Sequence, residues 1–267
     1  MPSRRLQTVC AVIFLLSLWL TNKQEESSLW VLLPTGALVV ASFILGDLVN
    51  AWWFERHPPV LSAYEKAWLD RFAPYFGHLD PASRKQAESG LARDLIEKEF
   101  IHMGEQDIPG EWKLMALAPA AYLGLGYNNV QARRYSRIVF YNHPFPSPNQ
   151  DYLHISETEH DDGVIILAVP QLEAAHHQAS EHFNIALYQW GEVFANLYPV
   201  PHHWPTNKTE VLTSCCQVLG TTEAALCQYL GQTALLPVAL AVYCAVLHPG
   251  VLEAADRYVA HYQTNVR

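Results

Sequence analysis

Between Ala179 and Leu197 apolar side chains return every three or four positions, with Phe183, Leu187, Trp190, Phe194 and Leu197 on one face of a predicted helix. Two other stretches are apolar without such a period. Leu6–Leu20 follows Arg4 and Arg5, and Leu29–Gly46 contains no charged residue. Crossing a bilayer takes roughly 20 apolar residues, so the two runs predict transmembrane helices at about 6–20 and 29–48. The polar connection Thr21–Ser28 joins them into a hairpin. Leu6–Leu20 alone also fits a signal-peptide core, but the residues after it lack the small-residue pattern of a cleavage site. A cleaved or re-entrant first segment stays open as the alternative.

The domain from residue 51 to 267 reads as soluble. Ala63–Phe72 predicts a short helix, and Asp80 with Pro81 starts another that should run to about Ile101. Glu111–Leu125 is an alanine-rich helix after the Pro109-Gly110 turn. Ser136–Tyr141 and Gly163–Val169 are β-branched apolar runs, hence strands, and Asp151–Glu157 is a weaker strand turned back by Asp161-Asp162-Gly163. Asn207 starts a helix toward Gly220. The apolar stretch Ala224–Leu247 is divided by Gly231 and Pro237 and reads as two buried helices rather than a third span.

Composition narrows the function classes. The chain of 267 residues is 50% hydrophobic and 12% aromatic, enough for one sizeable core. Its net charge is -9 with no basic face, which argues against nucleic acid as a partner. The 5 cysteines form no C-x-x-C pair and suit a reducing compartment. Arg4 and Arg5 precede the first run, and Arg56, Lys66 and Arg71 follow the second. The positive-inside rule then puts the soluble domain on the cytoplasmic side of an inner (cytoplasmic) membrane, with the lipid bilayer as partner of the hairpin. Trp52, Trp53 and Phe54 suit the headgroup belt or a core equally.

A family resemblance enters through the order of several segments. L-I-E-K-E-F from Leu95, an alanine-rich helix ending G-L-G-Y, the strand R-I-V-F-Y at Arg137–Tyr141, and Pro144-Phe145 follow one another. This order resembles the MtfA-type zinc peptidases (Mlc titration factor A, glucose-regulated), over about Leu91 to Tyr258. The resemblance implies an α+β, mostly helical, zincin-like domain with a small sheet, preceded here by the transmembrane hairpin. It implies an edge strand, matched to Val164–Val169, and a metal-binding helix of the pattern N-[VI]-[VA]-L-H-E-[FL]-A-H, matched to Asn184–Glu192. A third ligand on a later helix falls at Leu230.

The letters that catalysis needs are absent. A zinc peptidase takes His or carboxylate ligands and a carboxylate base for the metal-bound water. This chain has Tyr188, Gln189, Glu192 and Leu230 at the corresponding places. The expectation is therefore a pseudopeptidase with no cofactor, in which Tyr188 and Glu192 hydrogen-bond across one turn. Its binding groove would be made of Val164, Ile166, Ala168, Tyr188 and Glu192, where a protein or peptide adds as a strand. The alternative is an active zinc-dependent peptidase with a relocated site drawn from His176, His177, Glu181, His182, Glu192, His202 and His203. His154, Glu157, Glu159 and His160 form a second polar cluster, read as a solvated strand end and turn.

Overall fold

The computed structural model describes residues 2–21, 28–104, 107–126, 129–147, 150–179, 181–200, 204 and 207–265. The chain is mostly helical with a small mixed sheet, and it divides into two compact units, Met1–Pro59 and Val60–Arg267.

In the first unit, α1 (Pro2–Thr21) packs along α2 (Ser28–Ile44), and α3 (Gly46–Arg56) returns to the start of α1. Within α1, Ser3–Thr21 is long and apolar enough to cross a membrane. The expected second span, 29–48, is not one straight helix. Trp30–Ile44 and Leu48–Phe54 pass the same test only as a pair bent by 61°. Contacts to α1 accompany the bend. A Cβ on Gly46 would lie 3.3 Å from Gln7 Nε2, and Ser3 N donates to Asn50 Oδ1 at 3.1 Å, so α3 lies against α1. Between α1 and α2, Ser17 and Thr35 share a hydroxyl hydrogen bond of 3.1 Å, as polar groups in apolar hairpins commonly do. The connection expected at Thr21–Ser28 lies largely outside the described residues.

The second unit begins with α4 (Ala63–Phe72), started by a reciprocal capping box between Ser62 and Glu65. A 3₁₀ turn, Pro74–His78, leads to α5 (Pro81–Glu97), where Asp80 accepts from the amides of Ala82 and Ser83. This helix stops short of the expected Ile101. Lys98 takes an extended conformation, and Glu99–His102 becomes strand β1. Glu99 N donates to Ser136 O at 2.8 Å, so a partner distant in sequence turns these residues from helix to strand. Then come α6 (Gly110–Tyr122), β2 (Arg137–Tyr141), and a separate hairpin of β3 (Phe145–Ser147) and β4 (Gln150–His154). Strands β5 (Ser156–Glu159) and β6 (Val164–Ala168) follow, then α7 (Val169–His177) and α8 (Ile185–Leu197). The chain closes with α9 (Lys208–Val218), α10 (Glu223–Leu230), α11 (Pro237–Leu247) and α12 (Glu253–Asn265).

The main sheet has the order β1-β2-β6-β5, with β1, β2 and β6 parallel and β5 antiparallel to β6. This corrects the expected edge. Val164–Ala168 is paired on both sides, and the edge strands are Glu99–His102 and Ser156–Glu159, the latter overlapping only the end of the strand expected at Asp151–Glu157. Gly163 closes the β5–β6 turn at φ 63, where a Cβ would also fall 1.9 Å from Arg134 O. Strand register puts Ile138, Phe140, Ile165, Leu167 and Ser156 on one fully buried face, with Thr158. Helix α8 packs on β5 and β6, and α6 and α11 pack in turn against α8.

Candidate functional site

Helix α8 is shorter than the expected Ala179–Leu197. The chain leaves α7 at Gln178, and Asn184 caps α8 by accepting from Leu187 N at 3.0 Å. It is fixed on several sides. Trp190 Nε1 donates to Ala116 O at 2.7 Å, and Asn184 N donates to Tyr243 Oη at 3.2 Å. Gly191 lies so close to α11 that a Cβ there would stand 2.9 Å from Ala239 O. Leu187, Trp190 and Phe194 are fully buried, as the period predicts, and so are Ile185, Ala186 and Val193 on the other sides.

The three positions that resemble a metal-binding helix carry structural bonds. Gln189 is fully buried; its Oε1 accepts from Thr158 Oγ1 at 2.6 Å, and its Nε2 donates to Ser156 Oγ at 3.0 Å. One side chain thus ties α8 to the edge strand β5 through both ends of its amide. Tyr188, also fully buried, accepts from Leu236 N at 3.1 Å and shares a hydrogen bond with Glu192. Burial, then the neighbouring Glu192 carboxylate, push the Tyr188 hydroxyl far above its ordinary range. Glu192 is half-buried. Desolvation pushes its carboxyl up to about 7, the Tyr188 hydrogen bond pulls the other way, and the Glu157 carboxylate adds to the rise. Near neutral pH this carboxyl exchanges a proton and is poised between a neutral donor and an anion.

Leu230 ends α10 fully buried, and its carbonyl accepts from Ile155 N at 3.4 Å. These residues do not fit a zinc ion. Both polar ends of Gln189 are committed to the sheet, Leu230 offers no donor side chain, and one carboxylate cannot make a three-ligand site.

The expected groove of Val164, Ile166, Ala168, Tyr188 and Glu192 is not formed as one surface. Alternation puts Val164, Ile166 and Ala168 on the sheet face opposite Ile165 and Leu167, whereas Tyr188 is sealed in the core. The histidines of the relocated-site alternative also point to separate neighbours. His176 is buried against Trp68, with centroids 5.6 Å apart, and its Nδ1 meets Leu172 O at 2.8 Å. His177 meets Phe72 edge-on at 5.3 Å, and His182 Nε2 pairs with Gln178 Oε1 at 2.9 Å. His202 and His203 lie outside the described residues. Among the described residues, no three His, Cys, Asp or Glu side chains are grouped to hold a metal ion.

The second polar cluster disperses as well, and its solvated reading is wrong for His154. That side chain is buried under Phe145 on the β3–β4 hairpin. Glu157 accepts from Ser147 Oγ at 2.8 Å, and His160 Nδ1 pairs with Tyr135 Oη at 2.6 Å. Sequence reasoning missed Ser156 and Thr158 as partners of Gln189. Their only signal was two hydroxyl residues alternating in a short run before a turn. No protein-family model matches the chain, and a search of curated proteins yields no match.

Proposed function

We propose that this protein is a membrane-anchored, non-catalytic relative of the MtfA-type peptidases that binds a protein or peptide as an added strand along β5. The observation that carries this reading is the Gln189 bridge. The position that resembles the catalytic base holds α8 to Ser156 and Thr158 instead, so a zincin-like frame would be kept rigid without its metal chemistry. The resemblance supplies the binding mode, since peptidases of that type receive substrate along an edge strand. Here β5 is that edge, paired with β6 on one side only. Main-chain pairing gives affinity in such complexes, and alternate side chains give specificity. The apolar α1 and the basic residues around the N-terminal helices support an inner-membrane anchor with the domain in the cytoplasm.

The test combines two measurements on the full chain in lipid nanodiscs. Metal analysis after purification in zinc-containing buffer should show far less than one zinc per chain, with no chelator-sensitive peptide cleavage. A peptide array should yield extended ligands whose binding is abolished by Thr158→Pro, which removes an edge amide, and kept by Thr158→Val, which removes only the hydroxyl bonded to Gln189. Stoichiometric zinc with chelator-sensitive cleavage would overturn the reading, and so would binding indifferent to Thr158→Pro.

A further inference from the structure

A concavity lies in the second unit with no β5 residue in its lining. It lies where the start of α8, the end of α9, α10 and the end of α11 meet, and its volume is about 530 Å³. Small-molecule sites fall in the range of roughly 300–1,000 Å³, mostly apolar with a few polar groups. The floor here is Leu226 and Tyr243, both buried, and the walls include Phe183 and the partly exposed Tyr229. Phe183 and Tyr243 stack at 4.3 Å with planes 11° apart, which presents aromatic surface to the cavity and fixes its shape. The Tyr243 hydroxyl accepts from Asn184 N, so the wall is locked to the α8 cap.

The permanent charge of the lining is a single carboxylate. Glu181 stands exposed at the mouth, and none of the described lining residues is Lys or Arg. Aromatic faces attract organic cations, and a nearby carboxylate strengthens that preference over neutral or anionic ligands.

The geometry points to a small-molecule binding site in this cavity for an amphipathic organic cation, an apolar or aromatic body bearing an ammonium group. The body fills the space between Phe183, Tyr229 and Leu226, and the ammonium faces Glu181. The site is separate from β5 and does not depend on the strand-binding proposal. The polar rim residues His182 and His248 leave room for added hydrogen bonds from a larger ligand.

The probe is benzyltrimethylammonium, with phenylacetate and benzyl alcohol as anionic and neutral counterparts. Saturation-transfer NMR on the full chain in nanodiscs of neutral lipid reads binding of all three. The cation should bind at least fivefold more tightly than either counterpart, in the weak range usual for ligands of this size. Ala225→Trp, at an exposed helical position on the lining, should abolish the signal by filling the cavity. Glu181→Gln, fully on the surface, should weaken the cation about threefold to fivefold and leave benzyl alcohol unchanged. Phenylacetate binding as well as the cation would overturn the proposal. So would cation binding insensitive to both substitutions, or no cation binding at all.

Discussion

Glu192→Gln is the most direct probe of what α8 now does. In the folded chain the Glu192 carboxyl is held at about 7, against 4.5 for the ordinary group, mainly because it is desolvated. The folded state therefore binds this proton more tightly than the unfolded state. The resulting stability is present in full below about 4.5 and is lost as pH rises through about 7. At about 1.4 kcal/mol per pH unit the window amounts to about 3 kcal/mol, reduced to about 2 kcal/mol by the partial exposure of the side chain. Glutamine keeps the shape and still accepts the Tyr188 hydroxyl, but it has no proton to lose. At pH 8 the variant should be more stable than the native chain by about 2 kcal/mol, or roughly 4–8 °C in Tm for a domain of this size. At pH 4.5 the two should coincide. The assay is thermal unfolding followed by tryptophan fluorescence at half-unit pH steps. Reading the difference between variant and native chain cancels every other titrating group. A difference that stays constant from pH 4.5 to 8, or a variant less stable at pH 8, would refute the argument.

Gln189→Leu should destabilise by about 2–3 kcal/mol, because it removes two buried hydrogen bonds and strands the Ser156 hydroxyl in a dry interior. Amide hydrogen exchange should then accelerate in β5 more than in β2. Gly191→Ala forces a Cβ to 2.9 Å from Ala239 O and should lower stability by about 1–3 kcal/mol, seen as a reduced denaturant midpoint. For His176, burial holds the imidazole down at about 4, against an ordinary 6.5. Its unfolded form takes up the proton first, so it lowers stability as pH falls from 6.5 to 4, by about 3 kcal/mol at the bottom of the window. His176→Phe, packed against Trp68, should flatten that acid limb, and an unchanged limb would count against it.

Much of the helical frame could be read from local signals. Asp80 and Asn207 each announce a helix start, and each accepts from the amides of the turn that follows, whereas Ser62 and Asn184 show themselves as caps only in the structure. The apolar period correctly placed Leu187, Trp190 and Phe194 in the core, and the β-branched runs located β2 and β6 within a residue or so. Those features depend on side chains within a few positions of one another, which is the range over which propensity and capping act. The membrane reading stands at the coarser level of one apolar N-terminal helix, since α2 and α3 are bent apart, with contacts to α1 that no hydropathy window contains.

What only the tertiary structure decided is how distant segments use each other's polar groups. Glu99–His102 has a helical-looking sequence and became a strand because β2 offered it a ladder. Val164–Ala168 lost its place at the sheet edge because a short Ser/Thr/Glu strand, weak in β propensity, paired beside it. Gln189 reads in the sequence only as a residue that cannot serve as a base. Its amide found two hydroxyls on that strand, across more than thirty positions of chain, and became the bond that holds the helix to the sheet. Local pattern determines which residues form the helix, because its period and caps are contained within the segment. Long-range packing alone determines what Tyr188, Gln189 and Glu192 touch, and so what chemistry the helix can still perform.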